Sequence, residues 1–142
     1  MLKIQKIIPK IIKQIHKSAD TNYTSKTSHY KATKKKLLKK TFPNRFYGGF
    51  ITSKIASQNY GDALTNVPSE PEKYLDVLKK AKVVIYSRGL ANSPAWKMAE
   101  YLSQGKIIIA EPLTAELPIP LKHGKELLFF KSNEELKTHI DF

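Results

Sequence analysis

The chain has 142 residues, 41% of them hydrophobic, with 25 Lys and Arg against 12 Asp and Glu and no cysteine. That length suits one domain of ordinary size, so an enzyme needing two facing Rossmann-type domains of roughly 100–200 residues each does not fit. The missing cysteines exclude disulfides, thiolate catalysis and zinc ribbons, and the four scattered His have no metal-ligand spacing. Apolar runs such as Ile107–Ala110 fall far short of the ~20 residues of a bilayer span. No apolar stretch with a cleavage site follows Met1, so a cytoplasmic location is expected.

The net charge of +13 is unevenly spread. Residues 1–45 hold 12 Lys and Arg45 against Asp20 alone, whereas residues 46–142 are close to balance, with 12 basic groups against 11 acidic. A basic extension therefore precedes a near-neutral part of ordinary globular composition.

In chain order, Ile4, Ile7, Ile8, Ile11, Ile12 and Ile15 recur at helical spacing, with Lys3, Lys6, Lys10, Lys13 and Lys17 largely opposite, which predicts an amphipathic helix. Pro9 kinks it or marks its true start. Ser18–His29 is polar without periodicity and reads as a linker, so residues 1–29 form the basic extension. Tyr30–Lys40 predicts a short helix ended by Pro43-Asn44, and Arg45–Ile51 a strand whose Gly48-Gly49 pair implies a turn or a close backbone approach. Pro68-Ser69-Glu70 opens a helix to Ala81, with Ser69 as N-cap.

Val83–Tyr86 is a compact apolar strand of the kind buried in parallel sheets. The loop Ser87–Ser93 leads to a helix from Pro94 to Ser103, closed by Gly105. Lys106–Ala110 is a second strand. A Pro-rich loop leads to a third, Glu126–Phe130, and Ser132-Asn133 caps a last helix. Alternating helices and strands predict an α/β fold: a Rossmann-like, mostly parallel sheet of four or so strands flanked by helices, over residues 30–142.

In open α/β sheets ligands bind beyond the carboxyl ends of the strands. The segment after Tyr86 places Arg88, Gly89, Asn92 and Ser93 there, ahead of a helix N-terminus, and this set suits a phosphate or diphosphate. Arg88 brings a planar cationic fork and Gly89 permits close backbone approach. Glu100, nearly two turns into the helix, can accept hydrogen bonds from vicinal hydroxyls, as acidic residues do for ribose elsewhere. The same residues also satisfy a plain structural reading: a turn glycine and two solvated charges.

Residues 74–130, from Tyr74-Leu-Asp-Val-Leu-Lys-Lys-Ala-Lys-Val-Val-Ile-Tyr-Ser-Arg-Gly-Leu to Trp96-Lys-Met-Ala-Glu100-Tyr-Leu-Ser-Gln-Gly105-Lys-Ile-Ile-Ile-Ala and beyond, carry a recognisable order of helix, strand, Gly loop, helix ending in Glu and Gly, and strand. This order resembles the C-terminal nucleotide-sugar-binding domain of GT-B fold glycosyltransferases, particularly group-1-like and spore-maturation-protein-like members. Phe46-Tyr47-Gly48-Gly49 is similar to the strand that opens that domain, extending the resemblance over about residues 30–142. The resemblance implies that Glu100 holds the donor ribose and that Arg88, Gly89, Asn92 and Ser93 lie near the diphosphate and sugar. Many retaining members carry a Glu-x7-Glu pair whose first Glu falls here at Asn92, so neither donor nor stereochemistry is implied.

The nucleotide sugar is then a substrate, and no cofactor or metal is expected. No acceptor-binding domain and no general base can be named, so a partner domain or subunit is expected to complete any transferase. Trp96 and Met98 read as packing residues, His123 as a surface-loop residue, and Glu111 as a loop acid close to the cleft. Arg45 and Lys54, which flank the Gly pair, read as solvated charges. The Ile/Lys helix packs on the core or lies on an anionic membrane at the inner face, each nearby Lys contributing on the order of 1 kcal/mol. Nucleic acid is the least favoured partner, because the basic part has a single Arg and no aromatic interleaving.

Overall fold

The computed structural model describes residues 26–89 and 97–141, so the predicted Ile/Lys helix, the start of the polar linker, Asn92, Ser93 and Trp96 lie outside the described residues. The chain divides into two compact units, residues 1–78 and 79–142. Each contains parallel strands, which makes the protein α/β. The strands lie in two sheets, of two and three strands, instead of the single sheet of four or so expected.

In the first unit, helix α1 (Lys26–Thr41) begins inside the stretch expected to be linker. Its apolar content is small, and Ala32, Leu38 and Phe42 form its buried stripe. Lys35 and Lys39 share the face of Ala32 and use their long stems to reach backbone: Lys35 Nζ donates to Gly49 O and Lys39 Nζ to Leu64 O, both at 2.8 Å. Leu38 O accepts from Phe42 N–H at 2.8 Å, and Pro43 then ends the helix.

Strand β1 (Phe50–Ile51) is followed by α2 (Lys54–Tyr60), a 3-10 turn (Gly61–Ala63) and β2 (Leu64–Thr65). The two strands pair in parallel, Phe50 opposite Leu64. The predicted strand over Arg45–Ile51 thus shrinks to its last two residues. The polar chain after it, assigned no element from the sequence, forms a helix because Ser53 caps it, its hydroxyl accepting from Ala56 N–H at 3.1 Å. Ala32, Phe50, Ala56, Tyr60 and Ala63 make this unit's core. The Phe50 and Tyr60 rings lie 5.3 Å apart, and the Tyr60 hydroxyl hydrogen-bonds His29 Nδ1 at 2.6 Å.

Gly49 shows why the sequence has a glycine pair here. Its φ is +154°, and a Cβ added to it would lie 2.5 Å from Ala63 O and 2.8 Å from Leu64 C. The close approach expected from the sequence is therefore to the backbone that enters β2.

Helix α3 (Pro71–Lys80) starts one residue later than expected: Glu70 O accepts the first helical hydrogen bond, from Tyr74 N–H at 2.9 Å. Pro71 consequently occupies the first helical position and Glu70, instead of Ser69, stands before it.

The second unit contains β3 (Val83–Tyr86), α4 (described from Lys97 to Ser103), β4 (Ile107–Ala110), β5 (Leu128–Phe129) and α5 (Asn133–Asp141). All three strands are parallel in the order β3-β4-β5, with Val84 opposite Ile108 and Tyr86 opposite Ala110. The central strand explains the burial: Ile108, Ile109 and Ala110 are all buried, whereas on edge strand β3 Val83 is exposed and Val84 and Tyr86 buried. Met98 and Tyr101 of α4 are buried, in line with the packing role expected of Met98.

Helix α4 ends in a full Schellman motif. Lys106 N–H bonds Tyr101 O at 3.2 Å and Gly105 N–H bonds Leu102 O at 3.1 Å, and Gly105 takes φ +59°. Lys106 then returns its ammonium to Lys79 O and Ala81 O, at 2.8 and 2.7 Å, satisfying carbonyls at the end of α3. Ser132 caps α5: its hydroxyl accepts from Glu135 N–H at 3.1 Å, and the Glu135 carboxylate accepts from Lys131 N–H at 2.7 Å.

Candidate functional site

The three-stranded sheet brings the ends of β3 and β4 together. Tyr86 pairs with Ala110, and the ladder continues one residue further, Glu111 N–H donating to Tyr86 O at 3.1 Å. Arg88, two residues past β3, and Glu111, one past β4, therefore meet at the carboxyl edge of the sheet.

Glu111 Oε2 accepts the Arg88 backbone N–H at 2.8 Å and lies 3.7 Å from Arg88 Nε. Glu111 is 4% exposed, so the carboxylate is a built feature of the site and not the exposed loop acid its sequence position suggested. A carboxylate taken out of water needs donors and a nearby cation, and Arg88 supplies both from backbone and side chain. Arg88 Nε is itself buried and makes no hydrogen bond among the described residues. Its contact with Glu111 is thus one of charge at 3.7 Å, while the carboxylate accepts its short hydrogen bond from the main chain.

Gly89 follows Arg88 and is half-buried. Glu100, on α4 between the two strands in sequence, is also half-buried. Desolvation raises its carboxyl above the ordinary carboxylate range, partly offset by the positive charge of Lys97. Among the described residues Glu100 makes no hydrogen bond or ion pair with Arg88 or Glu111; its backbone carbonyl accepts from Ser103 Oγ at 2.8 Å. Of the five residues expected to bind a donor, the described structure places Arg88 and Gly89 on one loop and Glu100 on the helix that follows. Asn92 and Ser93 lie outside the described residues.

The residue missed was Glu111 as the partner of Arg88. Its signal in the sequence is an acid directly after an apolar strand, but only the register of β3 on β4 sets it beside residue 88.

Other candidates have structural occupations. His123 is exposed, and its Nδ1 accepts the Phe129 N–H at 2.9 Å, while its ring stacks on Phe129 at 6.3 Å. In the same turn Glu126 Oε2 accepts Lys122 N–H at 2.8 Å, which holds that carboxyl below its ordinary range. Arg45 and Lys54 are exposed, as expected of solvated charges, Arg45 lying over the Phe42 ring at 5.6 Å. Among the described residues no group of three or more His, Asp or Glu is placed to hold a metal ion, and no helix is long and apolar enough to cross a membrane.

Compared with known protein families, curated proteins and solved structures, the chain matches none.

Proposed function

We propose that residues 79–141 form a Rossmann-like element that binds the diphosphate of a nucleotide-sugar donor, as part of a glycosyltransferase. The observation that carries this reading is the Arg88 guanidinium at the carboxyl edge of a parallel sheet, with a buried Nε that has no hydrogen-bond acceptor among the described residues. In that role Arg88 pairs with the diphosphate, and the Gly89 backbone lets it approach. The positive charge stabilises the negative charge that develops on the leaving diphosphate during transfer. Glu100 accepts hydrogen bonds from the ribose hydroxyls. An acceptor-binding domain or subunit supplies the second substrate, so this chain contributes donor binding and leaving-group stabilisation.

Isothermal titration with UDP, GDP and their sugars, alongside Glu100→Ala, tests the reading. Binding by the native chain that the variant weakens supports it. An absence of heat with every nucleotide, or equal binding by both proteins, refutes it.

The alternative, a basic module for membrane surfaces or nucleic acid, would draw on α1 lysines whose ammonium groups already have partners in the fold. In α1 Lys35 and Lys39 donate to backbone carbonyls, Lys36 pairs with Asp62 at 3.1 Å, and buried Lys34 lies over the Tyr30 ring at 4.5 Å. Co-sedimentation with anionic liposomes, with and without residues 1–18, tests what remains of it; equal recovery of both forms excludes a membrane role for that segment.

A further inference from the structure

The pairing of Arg88 with Glu111 is asymmetric in a way that bears on how the site would take a ligand. The carboxylate has a short bond, 2.8 Å, to the Arg88 main-chain N–H, and only a long contact, 3.7 Å, to the side-chain Nε. Glu111 is 4% exposed, whereas the Arg88 side chain is 30% exposed and can reach solvent. Withdrawing the guanidinium from Glu111 breaks no hydrogen bond at Nε, because among the described residues none exists there. It also leaves the carboxylate with its main-chain donor. The arrangement therefore differs from a bidentate pair, in which two parallel hydrogen bonds would be lost on separation.

We propose that Glu111 is a specificity-determining latch on the anion site: it holds the Arg88 loop by its backbone and occupies the guanidinium electrostatically until a phosphorylated ligand outbids it. This proposal rests on the diphosphate-binding reading above for the place of the site, but makes a separate claim about affinity. A weakly charged ligand, such as a carboxylate or a monoester with one negative charge, gains little by displacing a carboxylate of equal charge. A diphosphate presents more charge and more acceptor oxygens to the same fork. Glu111 would thus set a threshold that selects diphosphates over singly charged anions. The latched loop keeps its backbone in place throughout, so the cation is delivered from a fixed base.

The probes are inorganic pyrophosphate and acetate, titrated calorimetrically into the full chain, Glu111→Gln and Arg88→Ala. The Gln amide oxygen preserves an acceptor for the Arg88 N–H and removes the competing charge. Glu111→Gln is expected to bind pyrophosphate about three- to tenfold more tightly than the native chain, an effect limited by the partial exposure of the pair. It is also expected to acquire measurable acetate binding, and Arg88→Ala is expected to lose pyrophosphate binding. Pyrophosphate affinity that is unchanged or weaker in Glu111→Gln overturns the latch, and if UDP or GDP still binds the native chain the donor reading survives. Tighter pyrophosphate binding by Glu111→Gln, in a chain that binds no nucleotide or nucleotide sugar, supports the latch and removes the donor reading. No binding of pyrophosphate, acetate, UDP or GDP by the native chain or by Glu111→Gln overturns both. A readout on the native chain covers the case in which the variant does not fold. In ¹H–¹⁵N spectra pyrophosphate should shift the Arg88 Nε–H resonance while the Arg88 backbone amide stays in place. Movement of both together, or of neither, refutes the latch.

Discussion

Replacing Gly49 by Ala should destabilise the first unit more than any other single-methyl change in it. The new Cβ would meet Ala63 O at 2.5 Å and Leu64 C and O at 2.8 Å, distances that real Cβ atoms essentially never show. These are main-chain atoms of the segment paired with β1 through Phe50 and Leu64, so no side chain can rotate aside. Relief requires the two strands to part by about half an ångström, which strains their hydrogen bonds and the Lys35 bond to Gly49 O. The positive φ adds a conformational penalty of about 1–2 kcal/mol, and the overlap about 1–3 kcal/mol more. The expected loss of roughly 3–4 kcal/mol is of the order of the whole stability of a unit this small.

Gly61→Ala provides the control in the same unit. Its backbone is helical, at φ −49° and ψ −40°, and nothing lies within 4 Å of its added Cβ. That variant should be neutral, or more stable by about 0.4–1 kcal/mol, because alanine narrows the unfolded ensemble. Urea denaturation followed by circular dichroism, with amide exchange of residues 50–65 to isolate this unit, measures both. A Gly49→Ala protein within 0.5 kcal/mol of Gly61→Ala would refute the claim that the Gly pair exists for the approach of β1 to the backbone of β2.

Three further outcomes concern the second unit. Lys106→Met removes donors from Lys79 O and Ala81 O and should cost about 1–2 kcal/mol in chemical denaturation; an unchanged midpoint would show that water serves those carbonyls equally well. Ser132→Ala should cost about 1 kcal/mol and Ser132→Asn little, since only the first deletes the acceptor for Glu135 N–H, and equal losses in the two variants would contradict the capping role. Burial raises the Glu100 carboxyl pKa in the folded state, so its contribution to stability is fully present below the unfolded carboxyl range and is lost as pH rises through the folded value. Stability of Glu100→Gln relative to the native chain should therefore increase from about pH 4 to pH 7; parallel pH profiles would show that Glu100 is not desolvated.

Residue order alone determined those features that depend on neighbours in the chain. Val83–Tyr86 was legible as a strand in full, because a run of β-branched and aromatic residues bounded by Lys82 and Ser87 is too short for a helix, although its edge position leaves Val83 exposed. Gly105 as a helix terminator and Ser132 as a cap were legible for the same local reason: each acts on backbone groups within a few residues. The parallel arrangement also followed from the alternation of helices and strands.

Tertiary structure decided what depends on residues far apart. Helix α2 is seven residues long and polar, and it gains its stability from Ala56 and Tyr60 packing on Ala32 and Phe50, contacts that no local pattern announces. No local pattern gives the lysines of α1 a partner, yet Lys35 and Lys39 find carbonyl partners 14 and 25 residues away. Arg88 read as an open cation, and the register of β3 on β4 gave it a buried carboxylate 23 residues distant. A charge in the sequence has a sign but no neighbour. The pairing of strands supplies the neighbour, and with it the buried partner that no local pattern announces.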